Sequence, residues 1–183
     1  MTLVTLVGSI AMTTPAQAAP EPTPPSRNEV TVREAAMVLD CSSLSSSAAK
    51  YAVEHDICTK DGRAVDRAQE GVNIQDERVG RCGTARLYLY NAGQGHAGFH
   101  YGYSSSLGAV AGHHLYIKWA NHDESTTGNW MDSSWPWSST YAAYNAPFTG
   151  SGYVTSGMSG DVNLVWGGGC TIVNPTSSTT VSW

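Results

Sequence analysis

Residues 112–124, GHHLYIKWANHDE, bring His113, His114, His122, Asp123 and Glu124 into one short stretch. Imidazole nitrogens and carboxylate oxygens are the usual ligands of zinc and the usual proton carriers of acid–base catalysis. What they can do together depends on the backbone beneath them. Leu115, Ile117 and Trp119 recur at every second position, which predicts a β-strand. His113, Leu115, Ile117 and Trp119 then face the core, and His114, Tyr116, Lys118 and Ala120 face outward. On such a strand His114 and His122 stand about 26 Å apart, too far to share one ion with ligand bonds of about 2 Å.

One metal arrangement survives this argument. If GFHYGY (98–103) and HHLYIKW (113–119) were the arms of a hairpin, His100 would lie beside His114 on the outer face, their Cβ atoms about 5 Å apart. His96 or a carboxylate would then be the third ligand. Two solvated histidines on a tyrosine-rich sheet are the simpler expectation, so no metal or other cofactor is expected.

The aromatic stretch NWMDSSWPWSSTYAAY (129–144) suggests contact chemistry instead. Pro136 lacks an N–H and places the segment at a sheet edge or in a loop. Trp135 and Trp137, two residues apart in an extended chain, would face the same way about 6 to 7 Å apart, close to the spacing of adjacent sugar units. Asp132 would supply a hydrogen-bonding group, and Trp130 and Tyr141 further rings. The simpler expectation for the pair is a lid, with the indoles folded over an open end of the fold. Trp119 and Trp166 share their strand parity with aliphatic residues and are expected in the core.

Other catalytic signatures are missing. There is no G-x-S-x-G elbow, no H-E-x-x-H and no phosphate-binding glycine loop. Asp123, Glu124, Asp132 and Asp161 are the only carboxylates after Cys82 from which a glycosidase-type pair could be drawn.

The elements that would position these residues fall into distinct stretches. MTLVTLVGSIAMTTPAQAAP has the apolar run and the small-residue Ala16–Ala18 pattern of a secretory signal peptide, so residues 1–18 are expected to be removed. The first cationic residue is Arg27, and a positive leader is expected upstream of Met1. Residues 19–27 form a Pro-rich linker. Residues 28–79 read as a small helical segment, with TVREAAMVLD a second helix or an edge strand. In SSLSSSAAKYAVEHDIC, Leu44, Ala48, Tyr51, His55 and Cys58 line one helical face, and Ser45 or Ser46 can serve as N-cap.

Export would let Cys41, Cys58, Cys82 and Cys170 persist as disulfides. The expected pairs are Cys41 with Cys58 and Cys82 with Cys170, contributing about 3 and about 5 kcal/mol in the chain-entropy model. The first pair limits the intervening helix to about ten residues, because the chain before the cap must run back along it.

From residue 80 to 183, ARLYLYN, AGFHYGY, HHLYIKW, SGYVTSG and DVNLVWG are short alternating runs bounded by Gly, Ser or Asn. About seven to nine strands are expected, forming an antiparallel β-sandwich or small barrel. The whole is therefore mainly β, preceded by a short disulfide-bonded helical segment. A chain of 183 residues suits one such domain. Its formal charge of -5, without Lys/Arg clusters, argues against nucleic acid as a partner. No membrane span is expected in the mature chain.

The leading expectation is a secreted, extracellular, non-enzymatic binding domain for carbohydrate or cell-envelope glycan, using Trp135, Trp137, Asp132, Trp130 and Tyr141. An extracellular protein-interaction factor, such as a hydrolase inhibitor or a toxin-like protein, is the alternative; it would present a rigid loop around Gly150–Ser159. A metal- or carboxylate-dependent hydrolase is the third reading.

Overall fold

The computed structural model describes residues 32–65 and 78–183, so the signal peptide expected at 1–18 and the linker at 19–27 lie outside the described residues. Among these residues nine strands form one sheet: β1 (Val32–Asp40), β2 (Val79–Gly93), β3 (His96–Ser105), β4 (Val110–Asn121), β5 (Thr126–Ser134), β6 (Thr140–Asn145), β7 (Gly152–Leu164), β8 (Gly169–Ile172) and β9 (Thr176–Val181). A single helical turn (Cys41–Ser43) and helix α1 (Ser46–Glu54) follow β1. Every pairing is antiparallel. The order is β5-β4-β7-β8-β1-β2-β3-β6, curled into a half-barrel. Strand β7 pairs with β4 along one edge, while its other edge is shared between β9, at Gly152–Gly157, and β8, at Asp161–Asn163.

Alternation builds the core. Leu87 and Leu89 on β2, Phe99 on β3, Leu115 and Ile117 on β4, and Val154, Met158 and Val162 on β7 are at most 1 % exposed. Each such side chain contributes about 1.5 to 3 kcal/mol when fully buried. Trp119 on β4 packs half-buried against this cluster, as its parity predicts; Trp166 does so too, but from the turn after β7, where strand parity does not apply. Of the protruding loop expected around Gly150–Ser159, all but the first two residues lie instead within β7.

Both disulfides are the expected ones. Cys41 and Cys58 hold their Cα atoms 5.9 Å apart. The enclosed α1 has nine residues, within the limit that pairing sets, and Ser45 caps it by accepting from the Ala48 N–H. Cys82 is the extra residue of a bulge in β2, where Met37 pairs with Gly83 and Val38 with Arg81. A bulge re-aims its side chain, and Cys82 joins Cys170 of β8, Cα to Cα 6.4 Å.

The structure also departs from the sequence reading within the sheet itself. TVREAAMVLD gives neither a helix nor an edge strand: β1 is interior, between β8 and β2, with Met37 and Leu39 buried. The sheet thus spans the boundary expected at residue 80. Burial on a sheet outweighs the helix preference of a Glu-Ala-Ala-Met run. The hairpin between β3 and β4 on which a His100–His114 metal pair would depend is absent. β3 pairs with β2 and β6, and β4 pairs with β5 and β7. Among the described residues no helix is long and apolar enough to cross a membrane.

Candidate functional site

Residues 106–109 carry the chain across the core, so β3 and β4 meet face to face and not edge to edge. Their inward side chains build a polar network at one region of the curl. Tyr103 Oη lies 2.9 Å from His113 Nδ1, and Ser134 Oγ lies 3.2 Å from His113 Nε2. Tyr101 and Tyr141 both donate to Asp132 Oδ2, at 2.9 and 2.8 Å. Asp132 Oδ1 is 3.6 Å from His113 Nε2. Trp130 packs edge-on to Phe99 and Tyr101, its indole N–H without a hydrogen-bond partner among the described residues.

Burial dominates the electrostatics here. It lowers the His113 pKa from the usual imidazole range against the opposing pull of Asp132. It raises Tyr101 to about 12 and raises Tyr103 and Tyr141 above the ordinary phenol value, with Asp132 adding to each. The Ser134, His113 and Asp132 trio does not have the geometry of a nucleophile relay. A relay needs serine on one imidazole nitrogen and the orienting carboxylate on the other; here both face Nε2, and Tyr103 occupies Nδ1.

Of the residues singled out in the sequence, Trp130, Asp132 and Tyr141 therefore belong to this internal network. Trp135 and Trp137 do not: they are 74 % and 66 % exposed, so they form no buried lid. The Trp135 ring rests over Gly112, where a Cβ would come within 3.1 Å of it. The segment is pinned at both ends, by Ser134 opposite His113 and by a 3.0 Å bond from Val110 N to Ser138 O. Trp137 has a left-handed backbone, φ 51°. This breaks the extended alternation from which two similarly facing indoles were expected.

The three histidines considered for a metal stand apart. His114 meets Asp161 Oδ2 at 3.3 Å, His96 meets the Ala146 carbonyl at 3.0 Å, and His100 lies among tyrosines. Without a β3–β4 hairpin, nothing brings His100 beside His114. Among the described residues no group of three or more His, Cys, Asp or Glu is arranged to hold a metal ion.

The surroundings of His100 form a site that sequence reasoning missed. The register aligns Tyr88, His100 and Tyr144 in one row across the outer face of β2, β3 and β6. Ring centroids are 5.8 Å apart for Tyr88 and His100 and 5.1 Å for His100 and Tyr144. Tyr90, in the next row, lies on Gly98, whose missing side chain leaves room for the ring. It sits 5.5 Å from Tyr88, 5.6 Å from His100 and 6.2 Å from Tyr144, with interplanar angles of 27°, 26° and 18°. The four rings thus pave this face as a cluster stacked at offsets and tilts against one another, with Tyr144 half exposed. On its other side the row Arg86, Gly102, Ala142 has little bulk, leaving a hollow of about 250 Å³. Arg86 is held at its rim by Glu34, 2.7 Å away. The signal was present in ARLYLYN, where leucines take the inward parity and tyrosines the outward one.

No protein-family model matches the chain, and neither a curated protein nor a solved structure matches it.

Proposed function

We propose that this protein is a secreted, non-enzymatic binding protein that recognises carbohydrate by stacking sugar rings on exposed aromatic side chains. The observation that carries this reading is the paved outer face of Tyr88, Tyr90, His100 and Tyr144. The C–H face of a pyranose is flat and apolar, and it gains most from aromatic rings already held in place by their neighbours on rigid strands. The Arg86–Glu34 pair beside the paving offers both a donor and an acceptor for ring hydroxyls. The exposed Trp135 and Trp137 supply a second aromatic surface on a pinned loop. Two disulfides accord with an oxidising, extracellular setting.

Affinity electrophoresis through gels containing neutral polysaccharides tests the proposal. Retardation by at least one β-linked glycan is expected, with loss in Tyr144→Ala, whose ring is half exposed. Unchanged migration across the panel, or retardation that survives both Tyr144→Ala and a Trp135→Ala/Trp137→Ala double variant, would reject it.

A further inference from the structure

A second concave site lies elsewhere on the sheet, on the outer face of β4, β7 and β9. Register fixes its plan. Gly157 on β7 pairs with Lys118 on one side and Thr176 on the other. The adjoining row holds Ala120, Thr155 and Ser178, and Ser159 follows Gly157 along the same face. A residue without a side chain therefore sits in the middle of a ring of larger ones. The result is a hollow of about 710 Å³ with Arg33 and Asn174 also at its wall. That volume falls within the usual range for small-molecule sites.

Its chemistry is selective. Among the described residues Arg33 and Lys118 are the only charged side chains lining it, although the chain as a whole carries a formal charge of -5. Neither cation is paired with a carboxylate among the described residues; Lys118 only rests over the Tyr116 ring at 5.0 Å. The nearby carboxylates are engaged elsewhere, Asp161 with His114 and Asp123 with the Tyr153 N–H. Hydroxyls of Thr155, Ser159, Thr176 and Ser178 and the Asn174 amide fill the remaining wall. Tyr153, 45 % exposed, stands at one end as a ring against which an apolar sugar face can lie. The Gly157 floor is open backbone: the atoms nearest a Cβ there would be those of the Asn174 side-chain amide, its oxygen at 2.9 Å.

We propose that this hollow binds the acidic sugar residue of a uronic-acid polysaccharide, its carboxylate taken by Lys118 and Arg33 and its hydroxyls by the Thr, Ser and Asn side chains. The site is separate from the paved face, and either can fail without the other.

Titration calorimetry with oligogalacturonate tests it, with a neutral galactan oligomer and dextran sulfate as comparison ligands. Uronate binding that weakens with salt is expected, together with little binding of the neutral oligomer. Gly157→Val keeps a strand-compatible backbone, pushes on the side-chain amide of Asn174 and fills the floor; it should abolish uronate binding. Lys118→Gln, an exposed substitution, should weaken it about fivefold. Tyr144→Ala, on the paved face, should leave it unchanged. Absence of uronate binding by the unaltered protein overturns the proposal. So does binding that Lys118→Gln leaves intact, or dextran sulfate binding equal to that of the uronate, which would mark attraction by charge alone.

Discussion

Asp132 on β5 accepts a 2.8 Å hydrogen bond from the Tyr141 hydroxyl on β6, linking by side chains the two end strands of the sheet, which share no backbone ladder. Tyr101 of β3 donates to the same oxygen. Asp132→Ala removes the acceptor from two partly buried hydroxyls and should cost about 2 to 4 kcal/mol. Asp132→Asn keeps an acceptor oxygen and should cost about 1 kcal/mol. Urea unfolding at unchanged m-value measures both. If Asp132→Ala is as stable as the parent, the seam between β5 and β6 is held by something else.

His113 gives the fold a sensitivity to acid. Its folded pKa lies below the unfolded value of about 6.5, because burial disfavours the imidazolium. At acidic pH the unfolded chain then binds a proton that the folded chain resists, so stability falls as pH drops below about 6.5 toward the lowered value. The groups facing the ring are Tyr103, Tyr141, Asp132 and Ser134. Thermal midpoints measured across this window should decline in the parent and decline less steeply in His113→Gln. Parallel profiles would remove His113 as the cause.

Tyrosine ionisation predicts a matching loss at the alkaline end. Tyr101 is raised to about 12 by burial, and Tyr103 is raised further by burial and by the neighbouring Tyr141 and Asp132. Raised folded values mean that the stabilisation is complete below about 10 and is lost as pH climbs through the folded pKa. Near-ultraviolet absorbance titration should therefore show late-titrating phenols, fewer by one in Tyr101→Phe. Titration of every phenol near the ordinary value in the folded protein would contradict this network.

Gly98 is the position on which the paving depends. A methyl there would occupy the space of the Tyr90 ring, while Gly98 itself keeps an ordinary strand backbone. Gly98→Ala should lift Tyr90 away from Tyr144, the contact chiefly responsible for raising the Tyr90 pKa to about 12. That pKa should return toward about 10, and any glycan affinity of the face should fall with it. A Tyr90 titration that does not move would mean that the ring finds the same place without the glycine.

Much of this could be read along the chain. The inward parity of His113, Leu115 and Ile117, both disulfides and the length of α1 follow from local spacing and chain geometry. The partners of β3 were not legible. An inward face bearing Phe99, Tyr101 and Tyr103 is satisfied equally by lying beside β4 or by packing across from it, and the short 106–109 connection permits both. The observed choice buries Tyr103 against His113, and it also sets His100 among tyrosines far from His114. β1 was obscured for a related reason, since its Ala-Ala-Met-Val-Leu run carries no alternation and takes its conformation from β8 and β2. Pro136 made the tryptophan pair legible as an edge or loop segment; its exposure and its facing were not, because an extended loop can equally fold its rings inward and the left-handed turn at Trp137 has no glycine to announce it.

The bond between Cys82 and Cys170 spans 88 positions of the chain and encloses β3 through β7 together with the exposed Trp135 loop. A protease that cuts once anywhere inside that span releases nothing: both fragments stay one covalent molecule, with the ladders of β7 and β2 still in place to hold the nicked ends. In surroundings rich in hydrolases, an aromatic loop enclosed in this way can be severed at its tip while the molecule around it survives.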